Sequence, residues 1–469
     1  AGVVNYILKD DYEGVELDLQ YGNNEQGNYE TTSYRLTAGT NFDNDRGNIA
    51  INVEGSESPM LRFSDFDASN RSRITTGNPD DTGPDDGLPS RIEVIPAYFW
   101  PFNGNGVIWN TPAPPPNFLT RIDGSPVQFA SDGSLVSYDP GTILGIPFAQ
   151  GGQGTRYSDL AGLRTGVERV TANLIGHYDL TPRIRAKGEV LYSESTSERL
   201  SQGASRTVLN QTDPALGAIS FFANNPFLPA ETVAALSAAN PGFGAGAPLW
   251  LSRHFYDDLL PANETTNETK SLRLLGGFEG DFDAANRNFY WDVSVSYAKV
   301  DGKESSWGVY TDRFNAAVRA VADASGNPVC AINADSDPTN DDPACAPLNP
   351  FGAGNISAAA AEYVTVPTGL DYENEQIDFL ATIGTSLFEL PAGPVDAVFA
   401  YEHRREEASY TPFEANRLGL VGTGTQEVAT SGDYNTNEFS AEFLVPVINE
   451  NMDIPGVQAL ELNGTFRYV

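Results

Sequence analysis

Apolar and polar side chains alternate on every second residue over runs of about ten positions, a pattern that only extended β-strands can use. In Phe289-Tyr290-Trp291-Asp292-Val293-Ser294-Val295-Ser296-Tyr297 every odd position is large and apolar. Leu460, Leu462, Gly464, Phe466 and Tyr468 alternate with Glu461, Asn463, Thr465 and Arg467. Phe439, Ala441, Phe443, Val445 and Val447 alternate with Glu438, Ser440 and Glu442, while Leu272, Leu274, Gly276, Phe278 and Phe282 oppose Arg273, Glu279 and Asp281. Weaker runs over 14–21, 29–42, 48–58, 166–180, 183–198, 372–388 and 395–410 bring the total to about eleven strands. With 45 Gly and 31 Pro as turn formers, the chain reads as all-β.

Strand length decides what the alternation is for. Strands of soluble sandwiches average about five or six residues. Ten residues at about 3.4 Å each, tilted by about 40°, span roughly 26 Å, the height of the apolar band of a membrane barrel. Charges are nearly absent from the apolar parity until Lys299 and His403, late in their runs. Connections also alternate in size. Tight turns lie at 43–48, 181–182, 283–287 and 391–394, with a slightly longer one at 449–456. The other ends carry long segments at about 65–165, 200–268, 306–370 and 410–433, with a short exception at 22–28. Phe42, Phe282, Phe289 and Trp291 flank tight turns, as an interfacial aromatic girdle would. The expectation is a transmembrane antiparallel β-barrel; a soluble sandwich with its apolar face inward is the alternative. No run of about 20 apolar residues exists to form a spanning helix.

Charge and motifs exclude several functions. Against 63 Asp and Glu stand 28 Lys and Arg, a formal charge of −35, which excludes a general nucleic-acid binder. His177, His254 and His403 are far apart, and no H-E-x-x-H, G-x-S-x-G or P-loop pattern occurs, so no enzyme is expected. His254 beside Asp257 and Asp258 reads as a solvated loop; Gly151–Gly154 and Gly422–Gly424 read as flexible loops. Cys330 and Cys345, in one long loop of an oxidising exterior, are expected to form a disulfide. Asp80, Asp81, Asp85 and Asp86, and the run from Asp335 to Asp342, lack the spacing of an EF-hand and read as solvated acidic loops, with Ca²⁺ binding as the alternative; no cofactor is expected. Alanine-rich stretches at 229–239, 314–322 and 356–363 read as short packing helices.

Ligand recognition, on this reading, belongs to loop aromatics and to polar residues facing the lumen. The aromatic candidates are Tyr98, Phe99, Trp100, Trp109 with the proline-rich 112–116 segment, Trp250 and Trp307, which serve either to stack on sugars or flat ligands or to pin the loops together. The lumen-facing candidates are Asn52, Glu54, Arg273, Glu279 and Asp292. Acidic loops disfavour strongly anionic ligands at long range, though screening beyond about 8 Å limits the effect.

Gly2-Val3-Val4-Asn5, continuing to Lys9 and into Gly14-Val15-Glu16, resembles the end of the plug domain of TonB-dependent receptors where it leads into the first barrel strand. The segments from Glu168-Arg169 to Thr181-Pro182, from Pro391-Ala392-Gly393-Pro394 to Glu402-His403-Arg404, and from Glu442 to Pro455-Gly456 resemble barrel hairpins of that family. Cys345-Ala346-Pro347-Leu348-Asn349-Pro350-Phe351-Gly352 is similar to an outer-loop motif of its large-loop members. The resemblance implies a barrel of about 22 strands occluded by a plug. Residues 1–13 would be the plug end, and 14–469 the first half of the barrel. A chain that starts without methionine or export signal and stops inside an alternating run is then expected to be an internal portion of a longer protein. The resemblance further implies uptake of a scarce nutrient across the bacterial outer membrane. An oligosaccharide is the first expectation for that nutrient; siderophore, cobalamin and peptide remain open. Expected partners are TonB with its inner-membrane motor proteins, outer-membrane lipid and lipopolysaccharide, and the nutrient itself. A β-rich surface adhesin or carbohydrate-binding protein that transports nothing is the rival.

Overall fold

The computed structural model describes residues 9–112, 119–160, 162–200, 205–210, 216–259, 264–452 and 454–469. Eleven long strands form one antiparallel sheet in which every strand pairs with its neighbours in sequence. They are β1 (Gly14–Gly22), β2 (Thr31–Phe42), β3 (Gly47–Ser58), β4 (Gly166–Thr181), β5 (Ile184–Leu200) and β6 (Glu264–Ala284). β7 (Arg287–Val309), β8 (Thr365–Leu390), β9 (Gly393–Pro412), β10 (Thr430–Ile448) and β11 (Leu460–Tyr468) complete it. Strands run on at the long-loop end well past the alternating runs: β8 has 26 residues, roughly 85 Å of extended chain. The apolar alternation stops where the strands leave the band it serves, so sequence patterning underestimates them.

Tight turns follow from local chemistry. The β6–β7 hairpin turns on Ala285 and Asn286, both with positive φ, as a two-residue turn matched to the strand twist requires. Asp43, Asn44 and Asp45 all take positive φ in the β2–β3 turn, a region short polar side chains tolerate best after glycine. Two strand glycines make room for cross-strand rings: a Cβ on Gly302 or Gly384 would overlap Tyr372 or Tyr290.

The register joins all the apolar positions into one face. One hydrogen-bonded row runs Phe42, Gly47, Tyr178, Ala186, Phe278, Val293, Ala381, Tyr401, Phe439 and Tyr468, from β2 to β11. A parallel row is apolar through Leu36, Val53, Ala172, Tyr192 and Leu272, then turns charged at Lys299, Glu375, Glu407 and Asp433. The edge of the apolar band therefore crosses the rows obliquely. The first row meets β2 at its turn end and β10 at Phe439, nine residues before Ile448. A stagger of about nine residues over eight strand steps, at about 3.3 Å per residue and 4.8 Å per step, gives a tilt of about 35–40°, the value of closed barrels. Lys299 sits beyond the band for this reason.

That face is open, which rejects the sandwich alternative. Leu274, Phe278, Val295, Phe399 and Leu462 are 40–56% exposed, and no second sheet among the described residues covers them. Buried apolar side chains gather instead in the long connections. Strands 107–109, 125–129 and 135–137 from the β3–β4 connection join 249–254, 205–206 and 219–221 from the β5–β6 connection in one sheet. Trp109 pairs with Trp250 and Ile108 with Leu251 across that junction. The β7–β8 connection adds helices Thr311–Val318 and Ala358–Val364, with Leu348 and Phe351. Phe129, Phe221 and Phe351, one from each connection, meet at centroid distances of 4.9–5.9 Å. The three connections thus fold as one cap. The expected helix at 314–322 ends at Val318, where Ala320–Ala322 turns into a strand pairing with Pro328–Cys330. Cys330 and Cys345 are disulfide-bonded.

Candidate functional site

The polar face of the sheet is laced by ion pairs between strands. Lys187 on β5 reaches Glu279 on β6 at 3.0 Å and Asp292 on β7; Arg273 on β6 reaches Glu189 on β5 at 3.3 Å. Arg404 binds Asp378 at 3.0 Å and Glu402, and Arg35 binds Glu54 at 2.9 Å. Asn52 donates to Thr37 Oγ1 at 2.8 Å. Asn52, Glu54, Arg273, Glu279 and Asp292 therefore share this face, opposite the apolar one, because pleating sends alternate residues to opposite sides. All but Asn52 are held in ion pairs, so each is already satisfied by a neighbour.

The chain enters on the same polar side. Asn48 donates to Tyr12 O at 2.9 Å, and His177 Nδ1 lies 3.0 Å from Asp10 O, to which it donates in its Nδ1–H tautomer. Both side chains are buried beneath the 9–13 segment. Gly39 must stay a glycine there, since a Cβ would overlap Tyr12 O. Gly2, Val3, Val4 and Asn5 lie outside the described residues.

In the cap, Arg253 ties three connections together. Its guanidinium donates to Gly104 O at 2.7 Å, to Pro350 O at 2.9 Å and to the Asp258 carboxylate, and it is fully buried. Burial pushes its pKa down to about 10, with Asp258 acting against the shift. Asp258 also accepts from Gly354 N at 2.9 Å. His254 is not the solvated loop residue expected from its neighbours. It stacks on Tyr256 at 4.5 Å and meets Phe102 edge-on, and its Nδ1 is buried without a hydrogen-bond partner among the described residues. Burial, and then the Arg253 charge, push it down to about 4, so it is neutral. Asp258 is taken by Arg253, so it does not serve as an acid–base partner of His254.

The aromatic candidates separate into two kinds. Trp100 and Trp109 are fully buried with ring centroids 5.8 Å apart, and the Trp100 indole donates to Gly145 O at 3.0 Å. They pin the cap and present no face to a ligand, which corrects the stacking expectation for both. Tyr98 and Phe99 are half-buried in a small strand pairing with 148–150 and 155–156, and Phe99 packs on Phe102, Phe148 and Tyr157. Trp307 is 55% exposed, but on the apolar parity of β7, paired with Pro367, so it does not face the lumen side. Trp250 lines a cavity. Residues 113–118 of the proline-rich segment lie outside the described residues.

In the acidic clusters, key carboxylates are already taken by nearby donors. Asp86 accepts from Thr82 N at 2.6 Å and Leu88 N at 2.8 Å, which hold its pKa below the usual range. Asp342 accepts from Tyr363 Oη at 2.6 Å and Ala344 N at 2.9 Å. Among the described residues no group of three metal-ligating side chains converges. Sequence reasoning missed Arg253 and Arg319. Nothing local marks either one: each depends on contacts made across separate connections.

No protein-family model matches the sequence, and no curated protein matches it. Among solved structures, the open form of the ferric-catecholate import receptor Fiu of E. coli K12 matches at 9% identity and a TM-score of 0.37. The match covers 92% of this chain and 47% of that one. A second, the siderophore receptor PiuA of Acinetobacter baumannii, matches at 13% identity and a TM-score of 0.33, covering 93% and 48%. The chain spans about half the length of these receptors.

Proposed function

We propose that this chain is part of the wall and outer cap of an outer-membrane receptor that takes up a scarce nutrient with energy delivered through TonB. The observation that carries the reading is the single apolar face, open across eleven strands, whose border drifts at the tilt of a closed barrel. Such a face is stable against hydrocarbon and costly against water. An ion-paired polar face behind it suits a water-filled or plugged lumen. The 9–13 segment, lying on that polar face near the turn end, is where a preceding plug domain would join. All four longer connections leave from one end, which would be the cell exterior, with the tight turns in the periplasm.

The nutrient is proposed to be an oligosaccharide, supported by a cap cavity that combines a half-buried indole with amide and hydroxyl groups. The test is uptake by cells carrying the intact protein. Accumulation of the nutrient should require both the protein and TonB, and should stop when the proton gradient is collapsed. Recovery of the protein as a detergent-free soluble monomer, or as a surface protein supporting adhesion without uptake, would overturn the reading.

A further inference from the structure

Two cavities of about 500 and 660 Å³ adjoin on the cap, and Ser220, Val318 and Arg319 line both. The first has Trp250 and Asn315 in its wall; the second has Asn224 and Phe222, the latter 38% exposed. Together they form one groove with an aromatic ring in each lobe and Arg319 at the waist. Arg319 is exposed, and among the described residues no carboxylate lies within ion-pair distance of it. Its charge is therefore open to a ligand even though the chain as a whole carries a formal charge of −35. The second cation of the groove, Arg206, is buried against the Phe314 ring at 4.4 Å. Asp312 is the acidic residue of the lining. The groove is braced from behind, since Ala331 and Ile332 in its walls follow Cys330, which is tied to Cys345.

We infer that this groove binds an acidic oligosaccharide, with Arg319 receiving a sugar carboxylate while Trp250 and Phe222 stack on ring faces to either side. A guanidinium offers a planar fork that matches a carboxylate with two parallel hydrogen bonds. Sugar rings carry an apolar C–H face and a rim of hydroxyls. The first suits an aromatic face, and the second suits the amides of Asn224 and Asn315 and the Ser220 hydroxyl. The cap's negative charge opposes an anion at long range, but screening confines that effect to about 8 Å, so the guanidinium at contact decides. The inference deepens the uptake reading above and relies on it only for which end of the sheet faces outward.

The test is direct binding to the purified intact protein in detergent, without its energising partner, so that it is independent of transport. Short oligomers of galacturonic acid should bind about tenfold or more tightly than neutral glucose oligomers of the same length. Arg319→Ala should abolish that preference while leaving the weaker neutral binding unchanged, and Trp250→Ala should weaken both. Arg319 is exposed, so its variant retains the fold, which circular dichroism checks. Equal binding of acidic and neutral oligomers, no effect of Arg319→Ala, or tight binding of a ferric catecholate in place of the oligomers would each overturn the inference. Loss of TonB-dependent uptake with acidic binding intact would instead count against the transport reading alone.

Discussion

Arg253 shows how one side chain can organise more than 200 residues of connecting chain. Its guanidinium bonds to groups from the β3–β4, β5–β6 and β7–β8 connections, and hydrophobic burial alone would not fix their relative register. Removing one partner of a buried ion pair leaves the other charge uncompensated, at a cost of about 3–5 kcal/mol. Arg253→Met is therefore expected to make the cap protease-sensitive while the sheet stays resistant, and limited trypsin digestion of the intact protein measures both. His254 beside it supplies a pH dependence. Its folded pKa of about 4 lies below the unfolded value of about 6.5, so the unfolded chain takes up a proton more readily. The stability it supports is full above about pH 6.5 and is lost as pH falls towards 4. Cap proteolysis followed across that window should show a steeper loss in the native protein than in His254→Phe, where nothing titrates at that position.

Among elements, β6 to β9 carry the clearest division of faces. Val293 pairs with Phe278 and Ala381 on the apolar face, while Ser294 next to it faces the ion-paired side. Val293→Arg should cost about 2–4 kcal/mol if hydrocarbon covers that face, and Ser294→Arg much less. Urea titration of the intact protein folding into bilayers distinguishes them; equal costs would mean the face is not lipid-covered. The strand runs were legible in the sequence because pleating writes a period of two wherever the two faces meet different surroundings. The loop-end extensions of β6, β7 and β8 were not. There Glu268, Lys270, Asp301, Lys303, Asp371 and Glu373 stand on the otherwise apolar parity, since both faces meet water or cap and no alternation is selected.

At the scale of the whole molecule, the sheet and the cap are stabilised differently. The sheet buries little against itself and offers its apolar side outward, whereas the cap holds a dense aromatic core around Phe129, Phe221, Phe243 and Phe351. Connections that share a core and a sheet cannot move one at a time. Hydrogen exchange on the intact protein should therefore show residues 107–109 and 249–254 protected as a unit, with one common opening rate. The turns around Asp86 and Asp337 should exchange quickly. Independent opening rates for 107–109 and 249–254 would mean that the connections are separate loops.

The sequence by itself determined the existence and order of the strands, their tight turns, the division of faces, the Cys330–Cys345 pairing and two of the three short helices, the third lying a few residues earlier than its alanine-rich stretch. Each of these is set by neighbours in the chain or by a period short enough to read along it. The tertiary structure alone decided that Trp100 and Trp109 are sealed inside, that His254 is half-buried and neutral, and that Arg319 has no acidic partner among the described residues where it lies between two cavities. Those facts depend on which distant segments meet, and a side chain's exposure and charge partners are properties of that meeting rather than of its local sequence.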